Sequence, residues 1–248
     1  MYNPFSLEGK TILITGASSG IGQATAIECS KLGASCVITG RNEERLQQTF
    51  DKLHGSGHLQ LMADISDDVG INKLIDGLPL LDGVVLCAGL GMTVPVQYAT
   101  REKFDKVFNI NFFSQTELIR IIYKKKLLKN CSSIVFIASV AGITSYNIGN
   151  SVYGASKAAI NAFMKFCAAE FASRKIRVNS ICPGMIETPL ISHGTITEEQ
   201  HNAFREKYLL KRFGTPQEIA YGAIYLLSDA SSWTTGSSIF IDGGGARN

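Results

Sequence analysis

In the run Tyr153-Gly154-Ala155-Ser156-Lys157 a phenol and an ammonium stand four residues apart, which on a helix places them on one face. A phenol titrates at about 10 and is a poor proton donor or acceptor near neutrality. A positive charge beside it favours the phenolate and makes it a usable acid or base. Taken alone, an ordinary exposed Tyr/Lys helix pair is the commoner case. A second arrangement lies near the start of the chain, where Thr15-Gly16-Ala17-Ser18-Ser19-Gly20-Ile21-Gly22 follows a short apolar run. Its glycines fall where a strand must turn tightly into a helix. Glycine supplies positive φ and close backbone approach there, and the free amides of the following helix suit a pyrophosphate. A plain glycine-rich turn is the alternative, and the spacing is G-x-x-x-G-x-G instead of G-x-G-x-x-G; the place directly after the first strand favours dinucleotide binding.

These residues need a scaffold to bring them together. Short β-rich apolar runs at Thr11–Thr15, Cys36–Thr39, Leu59–Ala63, Val84–Leu86, Ser133–Ala138, Val178–Ile181 and Ser238–Ile241 alternate with helical patterns. Strands linked by helices pair in parallel through right-handed crossovers. The expected fold is therefore α/β, a Rossmann-type doubly wound parallel sheet of seven strands with helices on both faces. Ser139 then falls at the end of the fifth strand and, with Asn111 and the glycine turn, points to one cleft beyond the strand C-termini. Thr215-Pro216-Gln217-Glu218 and Thr197-Glu198-Glu199-Gln200 carry start signals for two late helices. The stretch from about 185 to 212 reads as a loop bearing a short helix, a lid over the strand ends.

Composition narrows the function classes. The 248 residues fit one domain, 1–248. With 45% hydrophobic and only 18% charged residues the chain has the means to fold around a large core. The formal charge of +3, from 24 basic and 21 acidic residues spread along the chain, disfavours a dedicated nucleic-acid binder. No apolar run reaches the roughly 18 residues of a membrane span, and Met1-Tyr2-Asn3-Pro4 opens no leader pattern, so a cytoplasmic protein is expected. Cys29, Cys36, Cys87, Cys131, Cys167 and Cys182 lie far apart without a C-x-x-C and read as reduced, buried thiols. His54, His58, His193 and His201 lack ligand spacing and read as solvated surface residues; no metal is expected.

Taken in order and approximate spacing, the glycine turn, Asn111, Ser139, Tyr153-x-x-x-Lys157, Pro183-Gly184 with Thr188, and Ile241-Asp242-Gly243-Gly244 resemble the short-chain dehydrogenase/reductase family over essentially the full length. The resemblance implies roles. Tyr153 would donate or accept the proton, Ser139 would hydrogen-bond the substrate oxygen, Lys157 would hold the nicotinamide ribose and shift Tyr153, and Asn111 would anchor a relay water. The cofactor would lie against Gly16, Ser18, Ser19, Gly20, Ile21, Gly22, Asp64, Ile65, Ala88, Gly89, Pro183, Gly184, Ile186 and Thr188, in addition to Tyr153 and Lys157. Such a set suits hydride transfer, in which charge developing on a carbonyl oxygen meets preorganised donors and an acid. One departure is Leu86-Cys87-Ala88-Gly89 where the family has Asn-Asn-Ala-Gly; Cys87 has no neighbouring cation in sequence to activate it.

Within the family, the lengths between motifs and the ending Gly236–Gly244 are most similar to 3-oxoacyl-[acyl-carrier-protein] reductases of fatty-acid synthesis. Enoyl reductases place the Tyr seven residues before the Lys, where this chain has Asn150. A reductase of another small ketone (sugar, steroid or polyol), or a dinucleotide sensor without catalysis, is the alternative. NADP(H) is the expected cofactor, since Thr39-Gly40-Arg41-Asn42 offers Arg41 to a 2′-phosphate where NAD enzymes commonly place an acid; Glu43 or Glu44 on the ribose is the competing reading. An acidic carrier protein would need cations near the cleft, for which Lys124, Lys125, Lys126, Lys129, Arg174 and Lys175 are candidates. The helix from about Ser151 is apolar almost all round, which predicts a homo-oligomer, a tetramer on the family pattern.

Overall fold

Alternation along the strands sorts the apolar residues into two layers. Seven strands, β1 (Thr11–Thr15), β2 (Ser35–Gly40), β3 (Leu59–Met62), β4 (Leu81–Leu86), β5 (Leu128–Ile137), β6 (Arg177–Pro183) and β7 (Ser238–Ile241), form one parallel sheet in the order β3-β2-β1-β4-β5-β6-β7. On one face Leu13, Val84, Leu86, Ile134, Phe136 and Val178 pack with α3 (Asp68–Asp76), α5 (Ser114–Lys124) and α6 (Ser151–Phe171). Their sequence neighbours Ile12, Ile14, Val85, Val135 and Ile137 pack on the other face with α1 (Gly20–Lys31), α2 (Glu43–Phe50) and α8 (Pro216–Leu227). A period of two with both faces apolar is what a sheet covered by helices on both sides requires. The computed structural model describes residues 2–188 and 198–245.

All seven expected strands are present. β4 and β5 start earlier than the apolar runs suggest, at Leu81 and Leu128. Polar residues open β5, and its pairing with β4 shifts register between Leu81 and Gly83, near Cys131 with a φ of 64°. That irregularity leaves Cys131 exposed, against the expectation of buried thiols; the six cysteines are all free. The capping box of Thr215 and Glu218 opens α8 as expected. α7 (Glu198–Arg205) is formed, while its expected cap Thr197, most of the proposed lid (189–197) and His193 lie outside the described residues. His58 is not merely solvated: Cys36 N–H donates to its Nδ1 at 3.1 Å, so Nε2 carries the proton and donates to His54 O at 3.0 Å. Between α4 (Arg101–Phe108) and α5 the chain widens into a π turn over Asn109–Phe113, a feature without a signal in the apolar pattern. No described helix is long and apolar enough to cross a membrane. The strand order reverses between β1 and β4, which opens a crevice at their C-terminal ends.

Candidate active site

That crevice is a cleft of about 480 Å³ lined by Gly16, Ser18, Ser19, Gly20, Ile21 and Gly22 of the first turn, Arg41, Asp64, Ile65, Ala88, Gly89 and Thr188 among others. Its floor can exist only without side chains. Gly16 has a φ of 64°, and a Cβ there would stand 2.9 Å from the Ala88 backbone; a Cβ on Gly22 would stand 2.3 Å from Gly16 O. Ser19 precedes α1 in extended conformation without a side-chain cap, and the first turn of α1 has no acid. The free amides of that turn therefore face the cleft with nothing to satisfy them but a ligand or water, which favours an anion.

At the far end of the cleft, Arg41 lies 3.9 Å from Asp64 Oδ2 and is largely exposed. Arg45, which sequence reasoning passed over, lines the same pocket, whereas Glu43 and Glu44 do not. Asn42 explains the pairing: as the cap of α2 it accepts from Arg45 N at 2.8 Å, so Arg41 and Arg45 bracket one helix start. Thr39 lines the cleft as well, while its Oγ1 is buried without a partner. Gly70 was also missed. A Cβ on it would meet Asp64 O at 1.7 Å, so α3 packs directly on the loop that carries Asp64 and Ile65. Glycine walls, uncapped amides and two guanidiniums together fit a dinucleotide.

The second half of the site sits beyond β5. Burial pushes the Tyr153 phenol above its usual 10, and a hydrogen bond with Ser139 pulls partly back. Lys157 is 4% exposed; its Nζ donates to Ile137 O at 2.8 Å and lies 5.9 Å from the Tyr153 ring centre. Burial brings this ammonium down to about 8, with the thiols of Cys87 and Cys182 opposing weakly. The expected lowering of Tyr153 by Lys157 is thus absent from this arrangement, because the ammonium is turned to the Ile137 carbonyl. At neutral pH the phenol keeps its proton and is a donor. Ser139 Oγ also accepts from Ala141 N at 3.1 Å, which fixes its rotamer.

Asn111 is fully buried on the π turn, with Nδ2 donating to Leu90 O and Ser156 Oγ, each at 3.0 Å, and Oδ1 accepting from Leu90 N at 2.7 Å. Both amide hydrogens are committed, so its side chain clamps the β4 loop to α6 instead of presenting donors to a water. A Cβ on Gly89 would stand 3.4 Å from both Asn111 Oδ1 and Lys157 Nζ, which places this glycine at the junction of the two halves. The Cys87 departure costs little: Thr15 Oγ1 accepts from Cys87 N and Ala88 N at 3.1 and 3.2 Å, and Gln115 Nε2 donates to Ala88 O at 2.7 Å. Burial raises the Cys87 thiol to about 12, so it is no nucleophile.

At the end of β6, Pro183-Gly184 packs against Ile241-Asp242. A Cβ on Gly184 would meet Asp242 Cα at 2.9 Å, and Gly184 N donates to Ile241 O at 3.0 Å. Thr188 reaches the glycine turn, its Cγ2 3.2 Å from the Cβ position of Gly20. Ile186 does not bring its side chain to the cleft: it is 5% exposed and packs in the core. Gly214 N–H bonds Met185 O and Glu187 N–H bonds Gly214 O, both at 2.9 Å, so the backbone groups of Ile186 itself point away from Gly214. The expected docking cations lie elsewhere. Lys124, Lys125 and Lys126 precede β5, Lys129 is its second residue and Arg174–Lys175 precede β6, at the opposite end of the sheet, about 30 Å away along the ten residues of β5. Lys125 and Lys129 pair with Asp76 and Asp82, and Arg174 bonds Leu128 O and covers Tyr123.

With this geometry in view, the similarities are informative. A family model described as Enoyl-(Acyl carrier protein) reductase matches residues 16–245. The 3-oxoacyl-[acyl-carrier-protein] reductase FabG of Rickettsia conorii is 35% identical over 96% of this chain and 97% of its own. A tropinone reductase homolog of Arabidopsis thaliana is 34% identical over 98% of this chain and 93% of its own. Among solved structures, a dehydrogenase/reductase from Sinorhizobium meliloti superposes with a TM-score of 0.88 at 31% identity, covering 97% of this chain and 96% of that one. A short chain dehydrogenase/reductase family protein gives a TM-score of 0.84 at 33% identity, covering 96% and 98%. The chain belongs to the short-chain dehydrogenase/reductase family and is an NAD(P)-dependent oxidoreductase of that family.

Proposed function

We propose that the protein reduces a ketone to a secondary alcohol with NADPH, a 3-oxoacyl thioester of fatty-acid synthesis being the first candidate. The observation that carries this reading is the grouping of Ser139, Tyr153 and Lys157 beside Gly89, whose Cβ position lies 3.4 Å from Lys157 Nζ and which lines the cleft that also holds Arg41 and Arg45. When bound, the nicotinamide supplies or takes the hydride. Ser139 donates to the substrate oxygen, and Tyr153, which retains its proton, protonates it as charge develops. Lys157 and Asn111 act on either side of Gly89, the first binding the ribose and the second holding the loop. Arg41 and Arg45 take the 2′-phosphate by charge-assisted hydrogen bonds, which a bare ribose hydroxyl cannot reward equally. Enoyl reduction, the activity in the family model's description, fits less well, since Asn150 stands where the more distant Tyr would be.

The names of the most similar relatives support a carrier-bound thioester, whereas the tropinone reductase homolog supports a ketone of another kind. The lysines ahead of β5 do not rim the cleft of the same chain and give no support to carrier docking there. A homotetramer in the cytoplasm completes the proposal: Phe113 and Phe166 are 53% and 66% exposed on α5's entry and α6, an apolar face that a second copy would cover. The test is ketone-dependent oxidation of NADPH and NADH by the purified protein, with acetoacetyl thioesters and simple ketones. Turnover with a preference for NADPH supports the proposal; binding of cofactor with no turnover of any ketone would make the protein a sensor and refute it.

A further inference from the structure

The π turn sends two asparagines to two different loops. Asn111 holds Leu90 in the loop after β4, and Asn109 donates from Nδ2 to Ser66 O at 2.8 Å in the loop after β3. β2 and β1 lie between β3 and β4, so the two anchor points belong to strands about 14 Å apart. Side chains two residues apart on a helix point to opposite sides, and here that spacing spans one wall of the cleft. Ile110, between the two asparagines, lines the cleft, as do Ser66 and Leu90. Asn109 does not line it and reaches it through Ser66. The turn is itself held. Ser114 is buried and gives both its N–H and its hydroxyl to Asn109 O, the hydroxyl at 2.6 Å. That closure from residue 114 back to residue 109 is the hydrogen bond of the π turn.

The loop that Asn109 reaches is braced locally: Ser66 N turns back to Asp64 Oδ1 at 3.0 Å, and Asp67 Oδ1 accepts from Gly70 N at 2.7 Å to cap α3. Arg41, 3.9 Å from Asp64, sets this loop at the guanidinium end of the cleft. We propose that Asn109 is a positioning residue for the adenosine half of the cofactor, holding Asp64, Ile65 and Ser66 in the shape which that half binds. The proposal rests on the dinucleotide reading of the cleft, with the adenosine at the Arg41 end. A loop held in its bound shape has little ordering left to do when the ligand arrives. Released from its anchor, it binds with an affinity reduced by the fraction of time it is closed. One hydrogen bond between neutral groups corresponds to about a three- to tenfold change in that affinity. Leu90 stays on Asn111, so the loss falls on the adenosine half.

Calorimetric titration of the full chain with ADP-ribose, which carries the adenosine and both phosphates but no nicotinamide, reads the proposal without turnover. Asn109→Ala and the isosteric Asn109→Asp, which has no N–H to give, should each weaken ADP-ribose about three- to tenfold. Amide hydrogen exchange of the unliganded variants should quicken over residues 64–70 and keep the parent's rate over 87–92. With a ketone that the parent reduces, the KM for the cofactor should rise by the same factor, more than kcat falls. A merely structural role would lower the unfolding midpoint, quicken exchange in both loops alike and leave the ADP-ribose affinity unchanged; that result overturns the proposal. If Asn109→Ala does not fold, Asn109→Asp keeps the side-chain volume and decides by the same readouts. A parent chain that does not bind ADP-ribose removes the dinucleotide reading, and the proposal with it. A parent that binds it no better than a folded variant does removes the proposal alone.

Discussion

Replacing Lys157 by Met removes a buried ammonium while keeping an unbranched side chain in its place. Each tenfold change in a protonation equilibrium is worth about 1.4 kcal/mol, and burial takes this group from 10.5 to about 8. The charged form therefore destabilises the folded chain by about 3 kcal/mol at pH 7, where folded and unfolded chains both hold the proton. Because the folded value is the lower one, raising the pH releases the proton from the folded chain first. The destabilisation shrinks between pH 8 and 10.5 and vanishes above both values. Lys157→Met lacks this titration but leaves the Ile137 carbonyl, now held by Nζ at 2.8 Å, unpartnered at a cost of about 1–3 kcal/mol. That cost does not vary with pH. The stability of the variant minus that of the parent should fall by about 1 kcal/mol from pH 7 to pH 9, whatever the constant offset. Urea unfolding of both proteins without cofactor, followed by far-ultraviolet circular dichroism at pH 7, 8 and 9, measures it. A difference that stays constant would show that Lys157 keeps an ordinary ammonium and that its burial has been misjudged.

Three further outcomes follow from the same geometry. Arg41→Ala with Arg45→Ala should raise KM for NADPH about 10- to 100-fold and leave that for NADH unchanged; equal effects on both would reassign the pair. Gly22→Ala should abolish the thermal stabilisation given by NADPH, because its Cβ would sit 2.3 Å from the Gly16 carbonyl oxygen and the turn cannot close around it; a normal thermal shift would contradict the glycine floor. Light scattering at micromolar concentration should give a tetramer mass for the parent and a smaller one for Phe166→Glu; a monomeric parent would exclude the covered α6 face.

Most of the framework was legible because the strands alternate their apolar residues between two helical layers, as Ile12, Leu13 and Ile14 do. The glycine turn was legible for a related reason: three glycines in eight residues after a strand leave few structural alternatives. What escaped depends on the third dimension. Arg45 enters the cleft only because Asn42 caps α2, and Gly70 matters only because α3 lies on the Asp64 carbonyl. Ile186 sits in the core because its strand-like pairing with Gly214 directs the side chain inward. Asn111 has the right place, but a π turn and two backbone partners on Leu90 turn its side chain into a clamp. The lysines before β5 were misplaced relative to the cleft because sequence proximity to a helix end says nothing about which end of the sheet that is.

Tyr153→Phe tests the central claim most directly, since it deletes one hydroxyl from a half-buried ring and disturbs no other contact of the cofactor cleft. With whichever ketone the parent reduces best, kcat should fall about 100- to 10,000-fold, the range for a positioned acid, while the dissociation constant for NADPH, read by fluorescence titration, stays within about twofold of the parent. A variant that keeps near-normal kcat would contradict the assignment of Tyr153 as the proton donor.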